Sequence, residues 1–284
     1  MSKTIKNIFL IIMLSGEIKM ETYKTDSPVE RIGGRFYKKV LLTDQFAAPK
    51  ELCYDSSSRN LFFMYMDDVI QNSGRASINV VTKEAVKIKG IERNKATAVD
   101  PDTGEVYFGS DNGLYKYDPI DKKAVNIGLY NVNIMKIVIR NNEMYLIDAN
   151  NHKLYKVYDE GTRTISVGNY KTVMNFEVDS VGHLHFVTMC GLFCAINRGL
   201  AVKNKDLPTA HHLIVGEDKT YAVYNDGLYN VDCVNGTAER VADLNFDARS
   251  IVFGDYGDVF YAEDDNIYVL KPIRSYLLFW RKSP

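Results

Sequence analysis

Short apolar runs rich in Val, Ile, Tyr and Phe alternate with clusters of Gly, Asn and Asp along most of the chain. The stretch SDNGLYKYD at 110–118 returns in altered form as NDGLYNVD at 225–232. Apolar runs of this length, bounded by turn-forming residues, are typical of short strands joined by tight turns. The pattern therefore predicts an all-β protein with internal repeats.

Six repeated units follow one another, and each contains an apolar strand, an aromatic strand and a third strand that carries a large apolar residue. Five of the units place an aromatic residue at the same point of the third strand, about forty residues apart: Tyr115, Tyr155, Phe193, Tyr229 and Tyr268. The sixth unit, at 52–80, comes first and is divergent, with Ile78 at this point. A period near forty, with about four strands per unit, indicates the blades of a β-propeller.

The last unit lacks a fourth strand, because YVLKP at 268–272 leads directly into the C-terminal tail. The segment YKKVLLT at Tyr37–Thr43 resembles the fourth strand KKAVNIG at 122–128. An N-terminal strand that completes the last blade would close the ring and remove an exposed edge. We therefore predict a six-bladed β-propeller spanning residues 34–272, preceded by a leader and linker at 1–33 and followed by a tail at 273–284.

The repeated Gly-Leu-Tyr segments are predicted to begin returning strands. Asn112-Gly113 and Asp226-Gly227 would form two-residue hairpin turns with positive backbone angles. Their role is then structural, although an aspartate beside a glycine-rich turn also occurs in metal and phosphate loops.

Composition and charge limit the partners. The chain has 284 residues, 46% of them hydrophobic, and 35 basic side chains nearly balance 36 acidic ones, for a net charge of -1. This balance gives no reason to expect binding to nucleic acid or an anionic membrane. The start, in which Lys3 and Lys6 precede the apolar run 8–14, resembles a short signal peptide followed by a poor cleavage site. We expect a secreted monomer, with no membrane association through the tail at 273–284.

The ordered series of units also resembles a known family, the ommochrome-binding proteins of moth and butterfly haemolymph. The resemblance lies in the segments 46–66, 78–118, 227–232 and 258–272 and extends over roughly Tyr37 to Pro272. It implies an insect haemolymph carrier of ommochromes, which are tryptophan-derived phenoxazinone pigments, without catalysis and without a cofactor. Single units also look like those of gluconolactonase-type and yellow-type propellers.

A planar pigment with carboxylates and amines would need aromatic faces and a few placed cations. The starts of the first strands should line one mouth of the central channel, and the loops around that mouth should supply tyrosines. Alignment of the units places Ala96 and Ser250 at this mouth together with several candidates. The predicted ligand-binding residues are Glu51, Tyr65, Lys136, Tyr170, Asn175, His212, Tyr224 and Arg249.

The alternative is a gluconolactonase-like or esterase-like hydrolase, in which clustered oxygen ligands hold a divalent ion that activates water. Glu51 and Asn175 stand at suitable levels for such a site. The sequence alignment gives no second acid there, and Lys136 at the same level would oppose ion binding. His183 and His185, two apart in a strand, together with His211 and His212 of the following blade, are a further candidate for zinc. The competing interpretation is that one pair packs and the other lies at the surface.

The four cysteines, Cys53, Cys190, Cys194 and Cys233, permit two disulfides. The strand assignment places them in different blades or turns and suggests no pair within bonding reach. We therefore expect at least two of them to be buried free thiols.

Overall fold

The structure is a computed structural model that describes residues 8–14, 17–23, 29–32, 34–67, 72–196, 199–216, 219–224, 226–244 and 250–273. Only the backbone is described for its first two strands, β1 (Ile8–Leu14) and β2 (Glu17–Tyr23), which form a separate antiparallel pair. The predicted leader thus contains strand structure, while the predicted tail beyond Ile273 lies outside the described residues.

Twenty-five further strands form six antiparallel sheets, and the only complete helices among the described residues are two short 3-10 turns. Two N-terminal strands, β3 (Val29–Ile32) and β4 (Arg35–Thr43), precede the first complete sheet. Blade 1 comprises β5 (Ala47–Asp55), β6 (Asn60–Asp67), β7 (Asn72–Asn79) and β8 (Ala85–Ile88). Blade 2 comprises β9 (Asn94–Val99), β10 (Val106–Ser110), β11 (Gly113–Asp118) and β12 (Lys123–Gly128). Blade 3 comprises β13 (Ile134–Arg140), β14 (Glu143–Asp148), β15 (Lys153–Tyr158) and β16 (Arg163–Ser166).

The remaining blades follow the same order. Blade 4 comprises β17 (Val173–Val178), β18 (Leu184–Thr188), β19 (Gly191–Ala195) and β20 (Ala201–Lys203). Blade 5 comprises β21 (His212–Val215), β22 (Thr220–Tyr224), β23 (Gly227–Asp232) and β24 (Thr237–Asp243). Blade 6 contains β25 (Ser250–Phe253), β26 (Val259–Glu263) and β27 (Asn266–Pro272). The first strand of each blade contacts the first strands of both neighbouring blades, so the six sheets form a closed ring. The prediction of a six-bladed β-propeller is confirmed.

The N-terminal strand closes the ring as predicted. Strand β4 pairs antiparallel with β27, with Leu41 opposite Tyr268 and Tyr37 opposite Pro272, and so completes blade 6. Strand β3 then pairs with the outer side of β4 and gives blade 6 a fifth strand. Backbone hydrogen bonds that would be left open at the edge of β27 are thereby satisfied.

The repeat is visible in the pairing of the strands. The third-strand aromatic residues lie opposite the same position of the second strand in five blades: Tyr115 with Phe108, Tyr155 with Leu146, Phe193 with Phe186, Tyr229 with Ala222 and Tyr268 with Tyr261. Each of the six interfaces between neighbouring blades holds one apolar cluster of described residues. Because both faces of a blade are covered, burial of each large apolar side chain contributes about 1.5–3 kcal/mol.

The repeated glycines have a different place from the one predicted. Ser110 pairs with Gly113 and Tyr224 pairs with Gly227, so each glycine is the first residue of the returning strand. A Cβ at Gly113, whose φ is +116°, would lie 2.6 Å from the carbonyl oxygen of Gly128. At Gly227, whose φ is not positive, a Cβ would collide with the carbonyl oxygen of Ala242. The glycines are therefore needed for the close approach of the fourth strand.

One cysteine prediction was wrong. Cys194 of β19 and Cys233, which directly follows β23, form a disulfide with a Cα–Cα distance of 5.3 Å. The bond joins the third strand of blade 4 to the turn that follows the third strand of blade 5. Cys53 and Cys190 are free thiols, and Cys190 is exposed rather than buried. Within the described residues, no helix is long and apolar enough to cross a lipid bilayer.

Candidate functional site

A cavity of about 410 Å³ occupies the axis of the propeller. Its walls come from the innermost strands of all six blades, and it extends from the strand starts near Met135 and Met174 to the strand ends near Asp55 and Arg140. Leu52, among other apolar side chains, forms part of the wall. A space of this volume, lined by both polar and apolar side chains, falls within the range of small-molecule sites.

Four of the predicted site residues line this cavity together, namely Glu51, Lys136, Asn175 and His212. Three of them occupy equivalent positions of their blades, since Lys136 lies opposite Ile147, Asn175 opposite Val187 and His212 opposite Val223. The repeat therefore brings them to one level of the channel, as the sequence alignment anticipated. Arg249 lies outside the described residues.

The predicted tyrosines are not part of the cavity wall. Tyr65 is buried between blades 1 and 6, where its ring lies 5.0 Å from that of Phe46. Tyr170 packs 4.5 Å from Phe186 and donates a hydrogen bond to the carbonyl oxygen of Gly199. The ring of Tyr224 is stacked on His211 at 6.0 Å, and through it borders the channel mouth. Contact of these tyrosines with a ligand stays a prediction.

Lys136 has a partner that sequence reasoning missed. Its Nζ lies 3.1 Å from Oε1 of Glu177, which is two residues beyond Asn175 on β17 and so one level deeper in the channel. Burial would lower the pKa of Lys136, but the negative charges of Glu177 and Glu51 outweigh it and raise the pKa above its ordinary value. Lys136 is therefore charged at neutral pH, and an entering carboxylate would have to share it with Glu177.

Two polar side chains of the mouth already make contacts within the ring. Asn175 accepts a hydrogen bond from the backbone N–H of Phe176 at 2.8 Å and donates one to the carbonyl oxygen of His211 at 3.5 Å. Ser250 accepts from the N–H of Leu52 at 3.0 Å and joins blade 6 to blade 1. Asn175 retains hydrogen-bonding capacity for a ligand, because each amide oxygen has two lone pairs and each amide nitrogen two hydrogens.

A second cation, Arg75 of β7, lies behind the wall of the channel between blades 1 and 2. It is only 1% exposed, and its guanidinium lies 5.5 Å from the centre of the Phe108 ring. Burial lowers the pKa of Arg75 to about 10, an effect that the nearby negative charge of Glu51 partly opposes. The Cys53 thiol, which lines the cavity, is within electrostatic reach of Lys136, Glu177 and Arg75. Cys53, Lys136 and Glu177 thus line the channel, and Arg75 acts on Cys53 electrostatically from behind the channel wall.

The histidine pair predicted as a zinc candidate belongs to the interface between blades 4 and 5. Asp179 Oδ2 accepts from Nδ1 of His183 at 3.1 Å and from Nε2 of His185 at 3.2 Å. His185 is also near the sulfur atoms of Cys194 and Cys233, and these three side chains are the one group of described residues whose spacing would fit a metal ion. The disulfide occupies both sulfurs, so in this form the group cannot offer thiolate ligands.

The donor set of the channel is unlike a metal cage. Glu177 is the second acid that the sequence alignment did not reveal, but it is paired with Lys136. Among the described residues, no three His, Cys, Asp or Glu side chains converge on one point of the channel. A hard divalent cation requires several clustered oxygen ligands, and a neighbouring ammonium group opposes its binding.

Comparison with known proteins gives one match in sequence and many in fold. No protein-family model matches the chain. The chain is 33% identical over 108 residues to the ommochrome-binding protein of Manduca sexta, a stretch that covers 37% of this chain and 39% of that protein. The resemblance predicted from the repeated segments is confirmed over that stretch. The chain thus matches about two-fifths of the length of this relative.

The solved structures show the fold alone, because their sequences differ too much. A gluconolactonase from Xanthomonas campestris superimposes with a TM-score of 0.63 and 11% identity, covering 84% of this chain and 90% of the other. A putative gluconolactonase gives 0.59 with 11% identity, covering 84% and 94%. A streptogramin B lyase gives 0.54 with 11% identity, covering 84% and 97%.

Proposed function

We propose that this protein is a carrier that holds an ommochrome-type pigment in the central cavity and catalyses no reaction on it. The observation that carries the proposal is the cavity of about 410 Å³, in which apolar side chains such as Leu52 share the wall with polar groups and with the paired charges of Lys136 and Glu177. A planar aromatic molecule gains from burial against such walls, while a few polar groups orient it. The partial match to an ommochrome-binding protein supports the same ligand class.

In this proposal the residues at the channel mouth fix the orientation of the pigment. Lys136 donates to a carboxylate oxygen, Asn175 hydrogen-bonds a ring carbonyl, and His212 and Glu51 bind the remaining polar groups. Arg249, which the alignment places at the same mouth, would add a second cation. The tyrosines at positions 65, 170 and 224 would shape the rim from behind.

We further propose that the protein acts as a secreted monomer in an insect's haemolymph. The closed ring turns the inner edge strand of each blade towards the channel, where another chain has no room to pair with it. The disulfide between Cys194 and Cys233 supports an oxidising compartment, where such bonds persist.

A metal-dependent hydrolase of the gluconolactonase kind is the second candidate. The fold similarity to gluconolactonases and the presence of Glu51 and Glu177 in one channel favour it. The pairing of Glu177 with Lys136 argues against it, because a metal ion would have to displace the ammonium group.

Purification from the native fluid separates the two proposals. A carrier should bring a red or yellow chromophore with it, visible by absorption and released on denaturation. A colourless protein that hydrolyses lactones only after addition of calcium or zinc would overturn the carrier and support the enzyme.

A further inference from the structure

Arg75 is a buried cation whose hydrogen-bonding groups the fold leaves without partners among the described residues. Its Nε, Nη1 and Nη2 atoms are all buried and have no hydrogen-bond partner among the described residues. A guanidinium carries five N–H donors and stays charged at neutral pH, here with a pKa of about 10. Burying a charged group without hydrogen bonds costs free energy. An unpaired guanidinium in a folded protein therefore calls for a further partner, such as a bound ligand.

The position of Arg75 is set by two strands. Arg75 lies opposite Met64 on β6 and Ile88 on β8, and its side chain points towards blade 2, where Phe108 covers one side of it. The cation–π contact holds the guanidinium in place but satisfies none of its N–H groups. Its N–H edge therefore keeps its hydrogen-bonding capacity behind the cavity wall, where a planar acceptor would reach it only after side chains of that wall move aside.

A second unpartnered polar atom lies in the same interface. The Oγ1 of Thr97, on β9, is buried without a hydrogen-bond partner among the described residues, and Thr97 also lines the cavity. Thr97 lies opposite Phe108, the residue whose ring covers Arg75. Thr97 thus borders the cavity while its hydroxyl is buried, and it separates the cavity from the interface that holds Arg75.

The nearest acid does not neutralise Arg75 by a hydrogen bond. Glu51, on the cavity side, raises the pKa of Arg75 through its charge, yet none of the guanidinium nitrogens is bonded to it. A positive and a negative group thus stand near each other at the wall with their hydrogen-bonding capacity unused. This arrangement complements a ligand group that carries a carboxylate and an ammonium on neighbouring atoms.

We infer that Arg75, Thr97 and Glu51 form a subsite for the α-amino acid group of an aromatic ligand. Arg75 donates two parallel hydrogen bonds to the carboxylate, the Thr97 hydroxyl donates a third, and Glu51 accepts from the ammonium. The aromatic part of the ligand extends into the cavity towards Lys136. The inference rests on the proposed carrier function for its location, and it adds the chemical class of the group that is recognised.

The subsite is tested without any pigment by thermal unfolding and calorimetry with three small probes. L-Tryptophan carries both the carboxylate and the ammonium, tryptamine lacks the carboxylate, and indole-3-propionate lacks the ammonium. We expect tryptophan to bind best and to raise Tm, and tryptamine to bind on the order of ten- to a hundredfold more weakly, since it loses the charge-assisted pair. Equal binding of tryptophan and tryptamine, or no binding of tryptophan, would overturn the subsite.

Substitution of Arg75 distinguishes a binding role from a structural one. In the absence of ligand, Arg75→Met should raise Tm by a few degrees, because it removes a buried and unpaired charge while keeping much of the side-chain volume. The same variant should lose the preference for tryptophan over tryptamine, and Arg75→Lys should retain only part of it, because an ammonium lacks the bidentate fork. A fall in Tm for Arg75→Met with the preference unchanged would show that Arg75 serves the fold alone.

Pigment titration of the same variants separates this inference from the carrier proposal. If the unaltered protein binds a phenoxazinone pigment and Arg75→Met binds it equally well, the subsite is wrong and the carrier function stands. If the unaltered protein binds tryptophan through Arg75 but no pigment, the carrier proposal fails and the subsite stands.

Discussion

The interface between blades 1 and 2 and the interface between blades 4 and 5 both bury polar side chains, but they satisfy them to different degrees. Between blades 4 and 5, His185 contacts Asp179 and Thr220 at 3.2 Å each, and a disulfide crosses the interface beside it. Between blades 1 and 2, all three nitrogens of the Arg75 guanidinium lack a partner among the described residues.

Buried polar groups between blades 4 and 5 stabilise the ring, whereas we assign the buried cation between blades 1 and 2 to ligand binding. His185 also has one nitrogen, Nδ1, without a partner among the described residues, but its Nε2 is hydrogen-bonded, whereas none of the Arg75 nitrogens is. The disulfide and the Asp179 network hold blades 4 and 5 together. Arg75 contributes no comparable link, and this is why we assign it to binding.

Opening the ring should have the largest effect, because both interfaces exist only when the blades are closed. Deleting Phe36–Thr43 removes β4 and exposes the edge of β27, together with the apolar cluster that Leu42 completes. We expect loss of the single cooperative unfolding transition, measured by circular dichroism during heating. An unchanged cooperative melt would contradict closure by this strand.

Removal of the disulfide should strongly destabilise the interface between blades 4 and 5. The bond links residues 39 apart in sequence, and the loss of such a cross-link costs about 3–4 kcal/mol in the free energy of unfolding. Cys194→Ser should therefore lower the urea midpoint, while Cys190→Ser, at an exposed free thiol, should leave it in place. Equal midpoints for the two variants would mean that the link between blades 4 and 5 is not stabilising.

Substitution of a charged group in each interface should change stability in opposite directions. Asp179→Ala leaves two histidines and two backbone N–H groups without their acceptor and should cost about 1–3 kcal/mol, whereas Arg75→Met should gain stability. Burial alone would raise the pKa of Asp179, but hydrogen bonds from His185 and from the His183 backbone bring it below its usual value.

The effect of Asp179 should also depend on pH. Because its folded pKa is depressed, its contribution is fully present above the unfolded pKa of about 4 and is lost as the pH falls further through the folded value. The difference in Tm between the unaltered protein and Asp179→Ala should therefore shrink in acid. If both substitutions lowered Tm at neutral pH, the contrast between the two interfaces would not hold.

Thiol reactivity should show the smallest effect. It reports on Cys53, which lines the channel on the same side as Arg75. Burial raises the pKa of Cys53 to about 11, so it stays a neutral thiol at pH 8 and reacts slowly. Exposed Cys190 should be alkylated first by iodoacetamide, as mass spectrometry of the peptides would show. Equal rates at both cysteines would mean that the channel wall opens around Cys53.

Much of the fold could be predicted from the sequence, because the repeated residues occupy equivalent positions in successive blades. Tyr115, Phe193 and Tyr229 mark the third strands, and the similarity of 37–43 to 122–128 was sufficient to predict closure. The same alignment brought Glu51, Lys136, Asn175 and His212 to one cavity, because equivalent positions of a propeller meet at one level.

The residues that were missed are those whose partners come from another blade. Arg75 alternates with Ser77 and Asn79, which reads as the solvent-facing side of a strand, but both faces of a propeller blade are buried. Glu177 pairs across to Lys136 of the preceding blade. Cys194 and Cys233 stand at non-equivalent points of their repeats, so the alignment did not bring them together. A spacing of 39 residues, close to one repeat, was the available signal.

The carrier proposal is tested most directly by absorption titration of the purified protein with a carboxylate-bearing phenoxazinone pigment. We expect one binding site per chain. Lys136→Met should lose about 1–3 kcal/mol of binding free energy, or five- to a hundredfold in affinity. The double variant Lys136→Met/Glu177→Gln, in which Glu177 is not left as an unpaired acid, should show the same loss. Arg249→Met should behave likewise if its side chain reaches the mouth. Asp118→Asn and Asp232→Asn, which keep the acceptors of turns at the opposite face, should bind like the unaltered protein. Loss of binding in the two aspartate variants with full binding in the Lys136 variants would contradict a pigment site in this channel mouth.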